Sequence, residues 1–353
     1  MMLTILSVAY ALAPVHPATA GGAEQVLGQI DSALVEAGHR SIVVACKGSS
    51  VSGTLVESAD LSGALDGGTR RLANEQHRRA VARALDKWPI DLVHMHGLDF
   101  ETFLPGPGSP ALVTLHLPPG WYRKEIFRPD RKRTYLHCVS RSQERACPPG
   151  VNLLPVIENG VPVHRFPFSR KKGEYVLCLG RICPEKGFHL ALDAAAMAGV
   201  PLFLAGEVFG YGEHERYFQE EMVPRLNRGN NMFLGSLDFE KKSRLLASAK
   251  CLLAPSLAAE TSSLAAMEAL ACGTPVVAFP SGAIPEIVED GKTGFLVRDV
   301  REMAEAIAKT SRIDPAECRR AAEDRFSSGR MIKDYFHLYE LAKNGELDSL
   351  LRK

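Results

Sequence analysis

The sequence of 353 residues lacks several patterns that would assign it to a class at once. None of its eight cysteines belongs to a C-x-x-C pair, which argues against structural zinc and favours free, reduced thiols. The formal net charge of +1 argues against a nucleic-acid binder, because such proteins usually carry a marked basic excess. No apolar run approaches the roughly eighteen residues that a membrane-spanning helix needs. The pattern G-x-G-x-x-G follows none of the candidate strands, which argues against a dinucleotide-dependent dehydrogenase.

The amino-terminal segment MMLTILSVAYALAPVHPATAGGAEQ allows two interpretations. The apolar run from Leu3 to Leu12, followed by Ala18-Thr19-Ala20, is typical of a secretory leader with its cleavage site. A leader normally begins with basic residues, however, and no residue up to Val15 is charged. Pro14 and Pro17 also interrupt the chain before the cleavage motif.

The residues that follow favour the second interpretation, a first strand of the mature fold. After Gly21-Gly22 comes an amphipathic helix that ends at Gly38, and then the apolar strand Ile42 to Cys46. The apolar face of this helix is formed by Val26, Leu27, Ile30, Leu34 and Ala37. Strand, glycine loop, helix and strand make one parallel βαβ unit, which cleavage after Ala20 would destroy. The sequence therefore predicts that Thr4 to Val8 is a strand, in a cytoplasmic protein.

Strand-like runs recur along the whole chain and are separated by helical patterns, which predicts α/β organisation. The polar and basic stretch around SRKKGE divides them into two series and is the candidate linker. The predicted strands are Thr4–Val8, Ile42–Cys46, Asp91–His96, Ala111–His116, Leu136–Ser140 and Leu153–Ile157, then Tyr175–Leu179, Pro201–Ala205, Asn231–Leu234, Cys251–Pro255 and Pro275–Phe279. Two doubly wound sheets are expected, with ligands beyond the carboxyl ends of their strands.

The stretch AAETSSLAAMEALACGTPVVAF carries the most chemical information. A loop with Glu260 leads to a helix expected to start near Ser262, and the unpaired amides at such a start favour a phosphate. Glu268 lies inside this helix among apolar residues. A buried carboxylate needs hydrogen-bond donors, and the two hydroxyls of a ribose would supply them.

A second stretch, LGRICPEKG, follows the first strand of the second series. It carries Arg181 and Lys186 on a strand-to-helix loop, where two cations would neutralise a diphosphate. The alternative is an exposed loop in which Glu185 starts a helix and pairs with Lys186.

These motifs together resemble the retaining glycosyltransferases of family 4, which have the GT-B fold. The resemblance rests on G-R-x-x-x-E-K-G, on E-x7-E running into A-C-G-T-P-V-V-A, on ENGV and on the amino-terminal glycine loop. It implies two Rossmann-like domains facing each other across a cleft. The expected domains are an acceptor-binding domain at 1–163, a nucleotide-sugar-binding domain at 164–325, and a helical segment at 326–353 that packs back on the first domain.

The resemblance implies a role for each matching residue. Glu268 would bind the ribose and Glu260 the hydroxyls of the donor sugar, while Arg181 and Lys186 would neutralise the leaving diphosphate. Leu237 would meet the base through its backbone. The backbone amides of the helix start would hold the distal phosphate: Ser262, Ser263 and Leu264. Ser262 and Ser263 stand where the family often has an aromatic residue and a glycine, which leaves the identity of the donor sugar open.

Three residues of the first domain are also implied in the site. Gly21 and Gly22 would allow a close approach of backbone to the donor, and His116 would line the cleft near the sugar. His94 and His96 share one strand face beside His116, which allows a metal site as an alternative. No metal or cofactor is expected, because Arg181 and Lys186 would supply the positive charge.

The expected reaction is transfer of a hexose from a UDP- or GDP-sugar to an acceptor hydroxyl, with retention of configuration. The alternatives are a nucleotide-sugar epimerase or hydrolase of the same fold, or a module that binds sugar nucleotides without catalysis. The basic and aromatic segment 121–133 would contact an anionic acceptor, the inner face of a membrane or solvent alone. The acceptor and the oligomeric state stay open.

Overall fold

The structure, a computed structural model, describes residues 2–16, 19, 21–61 and 67–351. It divides the chain into unit 1, which comprises Met1–Glu158 and Met331–Lys353, and unit 2, which comprises Asn159–Arg330. The expected boundaries lie after residues 163 and 325. Ala18 and Ala20 of the possible cleavage motif lie outside the described residues. Among the helices that are described, none is both long and apolar enough to cross a membrane.

Unit 1 contains a parallel six-stranded sheet in the order β3-β2-β1-β4-β5-β6. Three short 3-10 helices, Phe100–Thr102, Pro119–Trp121 and Lys124–Phe127, lie in the connections after β4 and β5. The elements in chain order are β1 (Thr4–Val8), α1 (Gly22–Glu36), β2 (Arg40–Ala45), β3 (Thr54–Glu57), α2 (Gly67–Lys87), β4 (Leu92–Met95), β5 (Ala111–Leu115), β6 (Thr134–Cys138) and α3 (Arg141–Ala146).

The first strand is central in this sheet, and its prediction is confirmed. All five residues of β1 are buried, and the strand pairs with β2 on one side and β4 on the other. The apolar stripe of α1 is buried as expected, except that Ala37 is exposed at the helix end. Gly38 has a φ of 75°, a left-handed conformation that glycine adopts without the steric cost of a side chain. β1 therefore provides backbone hydrogen-bond partners to a strand on each side.

Unit 2 contains a second parallel six-stranded sheet in the order β12-β11-β10-β7-β8-β9. The strands and helices are β7 (Val176–Leu179), α4 (Phe188–Ala198), β8 (Leu202–Ala205), α5 (Gly212–Tyr217), α6 (Val223–Leu226), β9 (Met232–Phe233), α7 (Phe239–Ser248), β10 (Cys251–Ala254), α8 (Leu264–Ala271), β11 (Val276–Ala278), α9 (Ile284–Ile287), β12 (Gly294–Leu296), α10 (Val300–Lys309) and α11 (Pro315–Arg325). A π-helical turn, Phe218–Met222, joins α5 to α6, and 3-10 helices span Val163–Arg165, Pro184–Lys186 and Thr310–Arg312.

The carboxyl-terminal tail is helical, as the sequence predicts. It forms α12 (Ser328–Asn344) and a 3-10 helix, Leu347–Leu350. From Met331 onward the tail belongs to unit 1, where the buried Tyr339 hydroxyl lies 2.8 Å from Nδ1 of His94 on β4. This contact joins the last helix of the chain to the centre of the first sheet.

One predicted strand is wrong. Leu153–Ile157 makes a single bridge, between Leu153 and Leu136, and is otherwise irregular. Pro155 lies in the middle of this run and has no amide hydrogen to donate to a sheet. Two short strands, β3 and β12, are missing from the prediction.

The strand order marks the expected ligand edge of each sheet. Chain direction across the sheet reverses between β1 and β4 in unit 1, and between β7 and β10 in unit 2. Open α/β sheets bind ligands beyond the carboxyl ends of the strands at such a reversal, because the two following loops diverge there. The loops after β7 and β10 carry Arg181, Lys186, Glu260, Ser262 and Ser263 of the sequence-predicted site, whereas Leu237 follows β9 and Glu268 lies within α8.

Candidate functional site

The structure brings the loops after β7 and β10 together through an ion pair. Lys186 Nζ lies 2.6 Å from Oε1 of Glu260, and both side chains are largely buried. The hydroxyl of Ser256 donates a hydrogen bond to the same carboxylate oxygen. The alternative in which Lys186 pairs with Glu185 is therefore wrong. Two residues that are 74 positions apart in the sequence meet at the reversal point of the sheet.

Glycines allow the backbones of these loops to touch. Gly187 has a φ of 63°, and a Cβ at this position would lie 2.3 Å from the carbonyl oxygen of Pro255. Gly282, with a φ of 59°, would place a Cβ 2.2 Å from the carbonyl oxygen of Glu260. That oxygen also accepts a hydrogen bond of 2.7 Å from the amide of Ala283. The position of Glu260 is thus set by backbone contacts as well as by its carboxylate.

The helix expected near Ser262 begins two residues later, at Leu264. Ser263 is its N-cap, and its hydroxyl accepts a 3.4 Å hydrogen bond from the amide of Ala266. The hydroxyl oxygen of Ser262 is buried and has no hydrogen-bond partner among the described atoms. A buried hydroxyl without a partner is unfavourable, so a polar ligand at this helix start would stabilise it. The arrangement suits an anion at the amino-terminal end of α8.

Glu268 has a partner that the sequence analysis missed. Its Oε1 lies 2.6 Å from Nζ of Lys242 on α7, and the Glu268 side chain is 7% exposed. The ammonium also lies 5.9 and 5.8 Å from the ring centroids of Phe166 and Phe239. The protein itself therefore supplies one of the donors that the buried carboxylate needs, and burial alone no longer points to a ribose.

Arg181 and Leu237 lie in the same unit as these residues. The half-buried guanidinium of Arg181 makes no hydrogen bond or ion pair with any described residue. Leu237 immediately precedes Asp238, the N-cap of α7, whose carboxylate accepts a 2.8 Å hydrogen bond from the amide of Lys241. Arg181 is thus a cation available for an external anion.

The glycine loop of unit 1 lies at the start of α1. Gly21 is the N-cap and Gly22 is the first helical residue. A Cβ at Gly21 would lie 1.8 Å from Oε2 of Glu24, so any side chain there would displace this carboxylate. The loop follows β1, at the reversal point of the first sheet.

His116 belongs to a histidine pair at the carboxyl end of neighbouring strands. Its Nε2 lies 3.0 Å from Nδ1 of His96, and its amide donates a 3.0 Å hydrogen bond to the hydroxyl of Tyr122. Burial lowers the pKa of His116 to about 3, and that of His96 lies well below its usual value for the same reason. Both rings are neutral at physiological pH, and Nε2 of His96 is buried without a hydrogen-bond partner in the described chain.

A second histidine network occupies the interior of unit 1. His94 contacts the hydroxyl of Tyr339 through Nδ1 at 2.8 Å and that of Thr114 through Nε2 at 2.7 Å. Both ring nitrogens are therefore engaged, which argues against the metal site considered for His94, His96 and His116. Within the described ranges, one group of His, Cys, Asp and Glu side chains has a spacing that suits a metal: Cys183, Glu185 and His214.

The basic segment 121–133 lines a cavity of about 830 Å³ in unit 1. Arg123 pairs with Glu101, while Arg131 donates hydrogen bonds to backbone carbonyls, at 2.6 Å in the case of Ser109. Trp121 is 47% exposed. Part of the basic charge is thus used within the unit, and contact with an acceptor or a membrane stays a prediction.

Two family profiles match the chain in succession. The profile described as Glycosyltransferase Family 4 matches residues 20–165, and the profile described as Glycosyl transferases group 1 matches residues 163–325. The first match includes the glycine loop and His116, and the second includes both loops of the unit 2 site.

Relatives and solved structures agree with the profiles. Glycogen synthase of Mycobacterium tuberculosis is 31% identical over 218 residues, which cover 56% of this chain and 51% of the relative. The chain thus aligns with about half the length of this curated relative. Sucrose-phosphate synthase of Thermosynechococcus elongatus has a TM-score of 0.81 at 19% identity, covering 97% of this chain and 100% of that one. The Anabaena protein Alr3699/HepE, solved with UDP and glucose, has a TM-score of 0.73 at 19% identity, covering 96% and 99%. At these identities the two structures establish the fold, GT-B with two Rossmann-like domains.

Proposed function

Since the chain belongs to the group 1 and family 4 glycosyltransferases, we propose that it transfers a hexose from a nucleotide diphosphate sugar to an acceptor hydroxyl. The proposal includes a UDP- or GDP-linked donor and retention of anomeric configuration. One observation carries it: the ammonium of Lys186 and the carboxylate of Glu260 meet at the reversal point of the unit 2 sheet, in a loop that leads to a helix start with an unsatisfied buried hydroxyl. Alr3699/HepE, which shares the fold, was solved with UDP and glucose, which supports the donor class.

In this proposal the diphosphate binds between the loop after β7 and the start of α8. Arg181 and Lys186 face its charge, and the amides of Ser262, Ser263 and Leu264 hold the distal phosphate. As the glycosidic bond breaks, negative charge grows on the diphosphate, so both cations bind the transition state more strongly than the ground state. This electrostatic role is why the proposal requires no metal ion in the transfer step.

The remaining residues position the donor. Glu260 accepts hydrogen bonds from the sugar hydroxyls while Lys186 and Ser256 hold its carboxylate in place. Glu268 accepts a hydrogen bond from the ribose through the oxygen that Lys242 does not contact, and Leu237 meets the base through its backbone. In unit 1 the proposal assigns Gly21 and Gly22 to close backbone contact with the donor, and the neutral His116 to the sugar.

No protein nucleophile is assigned. The acceptor hydroxyl attacks the anomeric carbon from the face that the diphosphate leaves, and a phosphate oxygen of the donor takes the proton of the hydroxyl. The new bond therefore has the configuration of the broken one. The neutral state of His116 is consistent with hydrogen bonding to the sugar and removes a competing positive charge from its neighbourhood.

A thermal-shift screen of nucleotide sugars tests the donor assignment. A ligand at one hundred times its dissociation constant should stabilise the folded state by ~2.7 kcal/mol. We expect a UDP- or GDP-sugar to give this shift in the parent chain and in Lys171→Ala, an exposed lysine of unit 2, and a reduced shift in Lys186→Ala. Equal shifts in both variants would remove Lys186 from the donor site.

Product analysis then tests the reaction. Incubation of the donor that binds with a panel of sugar and polyol acceptors should yield a new glycoside with the anomeric configuration of the donor, as read by NMR. Inversion would contradict the mechanism. Turnover of donor without any acceptor would indicate an epimerase or hydrolase, and binding without turnover would indicate a non-catalytic module.

A further inference from the structure

A mixed group of metal-ligand side chains lies at the same edge of the unit 2 sheet. Cys183 and Glu185 belong to the connection between β7 and α4, and His214 belongs to α5, which follows β8. Because β7 and β8 are neighbouring parallel strands, their following loops meet at one edge. One thiol sulfur, one carboxylate oxygen and one imidazole nitrogen from these residues all lie within 4.8 Å of one another.

An unsatisfied atom in the group points independently to a ligand. Nδ1 of His214 is buried and has no hydrogen-bond partner within the described chain. The side chain of Cys183 is also buried, at 2% exposure, and its sulfur makes a weak 3.7 Å contact with the carbonyl oxygen of Arg181 and a hydrogen bond with Glu185, its neighbour in the group. A buried polar nitrogen without a partner is unfavourable in a folded protein, and coordination to a cation would remove that cost.

The ligand types select the cation. A thiolate and a carboxylate together carry two negative charges, which balance a divalent cation, and a neutral imidazole adds a third ligand. Zn²⁺ accepts sulfur, nitrogen and oxygen ligands together, whereas Mg²⁺ and Ca²⁺ prefer oxygen alone. Three protein ligands also leave a fourth tetrahedral position for water, as in other three-ligand zinc sites.

We propose that Cys183, Glu185 and His214 form a Zn²⁺ site that fastens the loop after β7 to α5. Cys183 and Glu185 lie between Arg181 and Lys186 in the sequence, so the bound ion would restrict the loop that carries both cations. Metal binding itself is independent of the proposed transferase activity. Only its consequence for turnover rests on that function, and the ion takes no part in the transfer step.

Metal titration of the full chain tests the site. After treatment with a chelator, the protein should bind one Zn²⁺ in competition with a chromophoric chelator. Co²⁺ in the same site should show a thiolate-to-metal charge-transfer band, which reports a cysteine ligand directly. Absence of stoichiometric Zn²⁺ binding, or a Co²⁺ complex without the thiolate band, would overturn the proposal.

Matched variants locate the metal. Cys183→Ser and His214→Gln should each weaken Zn²⁺ binding by at least about tenfold, and Cys183→Ser should abolish the charge-transfer band. The controls are Cys147→Ser, a half-buried thiol of unit 1, and His189→Gln, whose ring nitrogen already lies 2.9 Å from the hydroxyl of Tyr217. Both controls should bind Zn²⁺ like the parent chain, and loss of binding in a control instead of the site variants would place the metal elsewhere.

Two further measurements separate the possible failures. His214 is half-buried with an unpaired nitrogen, so His214→Gln decides the question if Cys183→Ser does not fold. Nucleotide-sugar binding is measured on the same metal-free samples by thermal shift. If the parent chain binds nucleotide sugar but no Zn²⁺, the metal site is refuted and the proposed function is not. If it binds Zn²⁺ but no nucleotide sugar, the proposed function is refuted and the metal site is not.

Discussion

The buried ion pair between Lys242 and Glu268 provides the sharpest test of the unit 2 site. Its N–O distance is 2.6 Å, and the two side chains are 19% and 7% exposed, so little solvent screens the charges. Lys242→Met keeps much of the length of the side chain and removes the ammonium. The carboxylate of Glu268 is then left among apolar residues of α8 without its cation.

The expected loss of stability is large. Removing one partner of a buried ion pair typically costs about 3–5 kcal/mol, because the remaining charge stays desolvated without compensation. For a domain of 150–250 residues each kcal/mol shifts the melting temperature by about 2–4 °C, so the unit 2 transition should fall by roughly 6–20 °C. Lys241→Met is the matched control, since Lys241 is 72% exposed and its pair with Asp238 lies in solvent. It should change stability by less than about 1 kcal/mol.

Calorimetry of Lys242→Met, of Glu268→Leu and of the double variant Lys242→Met/Glu268→Leu measures the pair directly. The double variant should be more stable than Lys242→Met, because replacing both charges removes the unpaired carboxylate. A Lys242→Met transition within a degree of the parent would refute the assignment of a desolvated pair.

Titration with nucleoside diphosphate tests the proposed role of Glu268 in donor binding. Glu268→Gln should bind the nucleotide more weakly than the parent, and unchanged affinity would remove Glu268 from the ribose site.

Three other perturbations have expected outcomes. Arg181→Ala should lower the maximal rate by about 10²–10³-fold with a smaller change in donor affinity, by analogy with other preorganised charges. A change confined to apparent donor affinity would show that Arg181 binds the ground state and the transition state equally. Acid should destabilise unit 1, because burial lowers the pKa of His137 to about 4 whereas the unfolded chain protonates near 6.5. Between about pH 6.5 and pH 4 the unfolded chain binds a proton at His137 and the folded chain does not, so the free energy of unfolding falls by about 1.4 kcal/mol per pH unit in this window. Urea unfolding at pH 7 and 5 should show a smaller pH effect in His137→Gln. Removal of residues 1–20 should give insoluble or inactive protein, because β1 pairs with β2 and β4; soluble, active truncated enzyme would contradict its structural role.

The sequence pattern predicts the central strands well because they are buried on both faces. Continuous apolar runs between helical patterns are typical of parallel sheets, and ten of the predicted runs coincide with strands of the structure. The missed strands lie near the edges of the sheets. β3 is partly exposed with the sequence TLVE, and β12 has three residues, so neither shows a buried run. Their pairing depends on a neighbouring strand and not on their own composition.

The site is predictable only where residues share a loop or a helix start. Arg181 and Lys186 follow one strand and Glu260 another, and the rule that carboxyl ends of parallel strands share an edge is enough to expect them in one region. The direct contact between Lys186 and Glu260 depends on Gly187 and Gly282, whose backbones pack against neighbouring carbonyl groups. Those contacts join residues that are distant in the sequence, so no local sequence pattern indicates which carboxylate pairs with Lys186.

The position of Lys242 in the sequence already indicates that its charge is paired. It lies four residues before Leu246 and therefore on the buried stripe of α7, where a charge is unfavourable unless it is paired. Glu268 is unfavourable on the apolar α8 for the same reason. Two charged residues of opposite sign at buried positions of adjacent helices are therefore expected to form an ion pair. Each charge offsets the desolvation cost of the other only if the two side chains are in contact. Cys183, Glu185 and His214 give no comparable signal, since a thiol is common in a core and the two other side chains are partly exposed. Their convergence depends on how the loops after β7 and β8 fold back, and it therefore requires the three-dimensional structure.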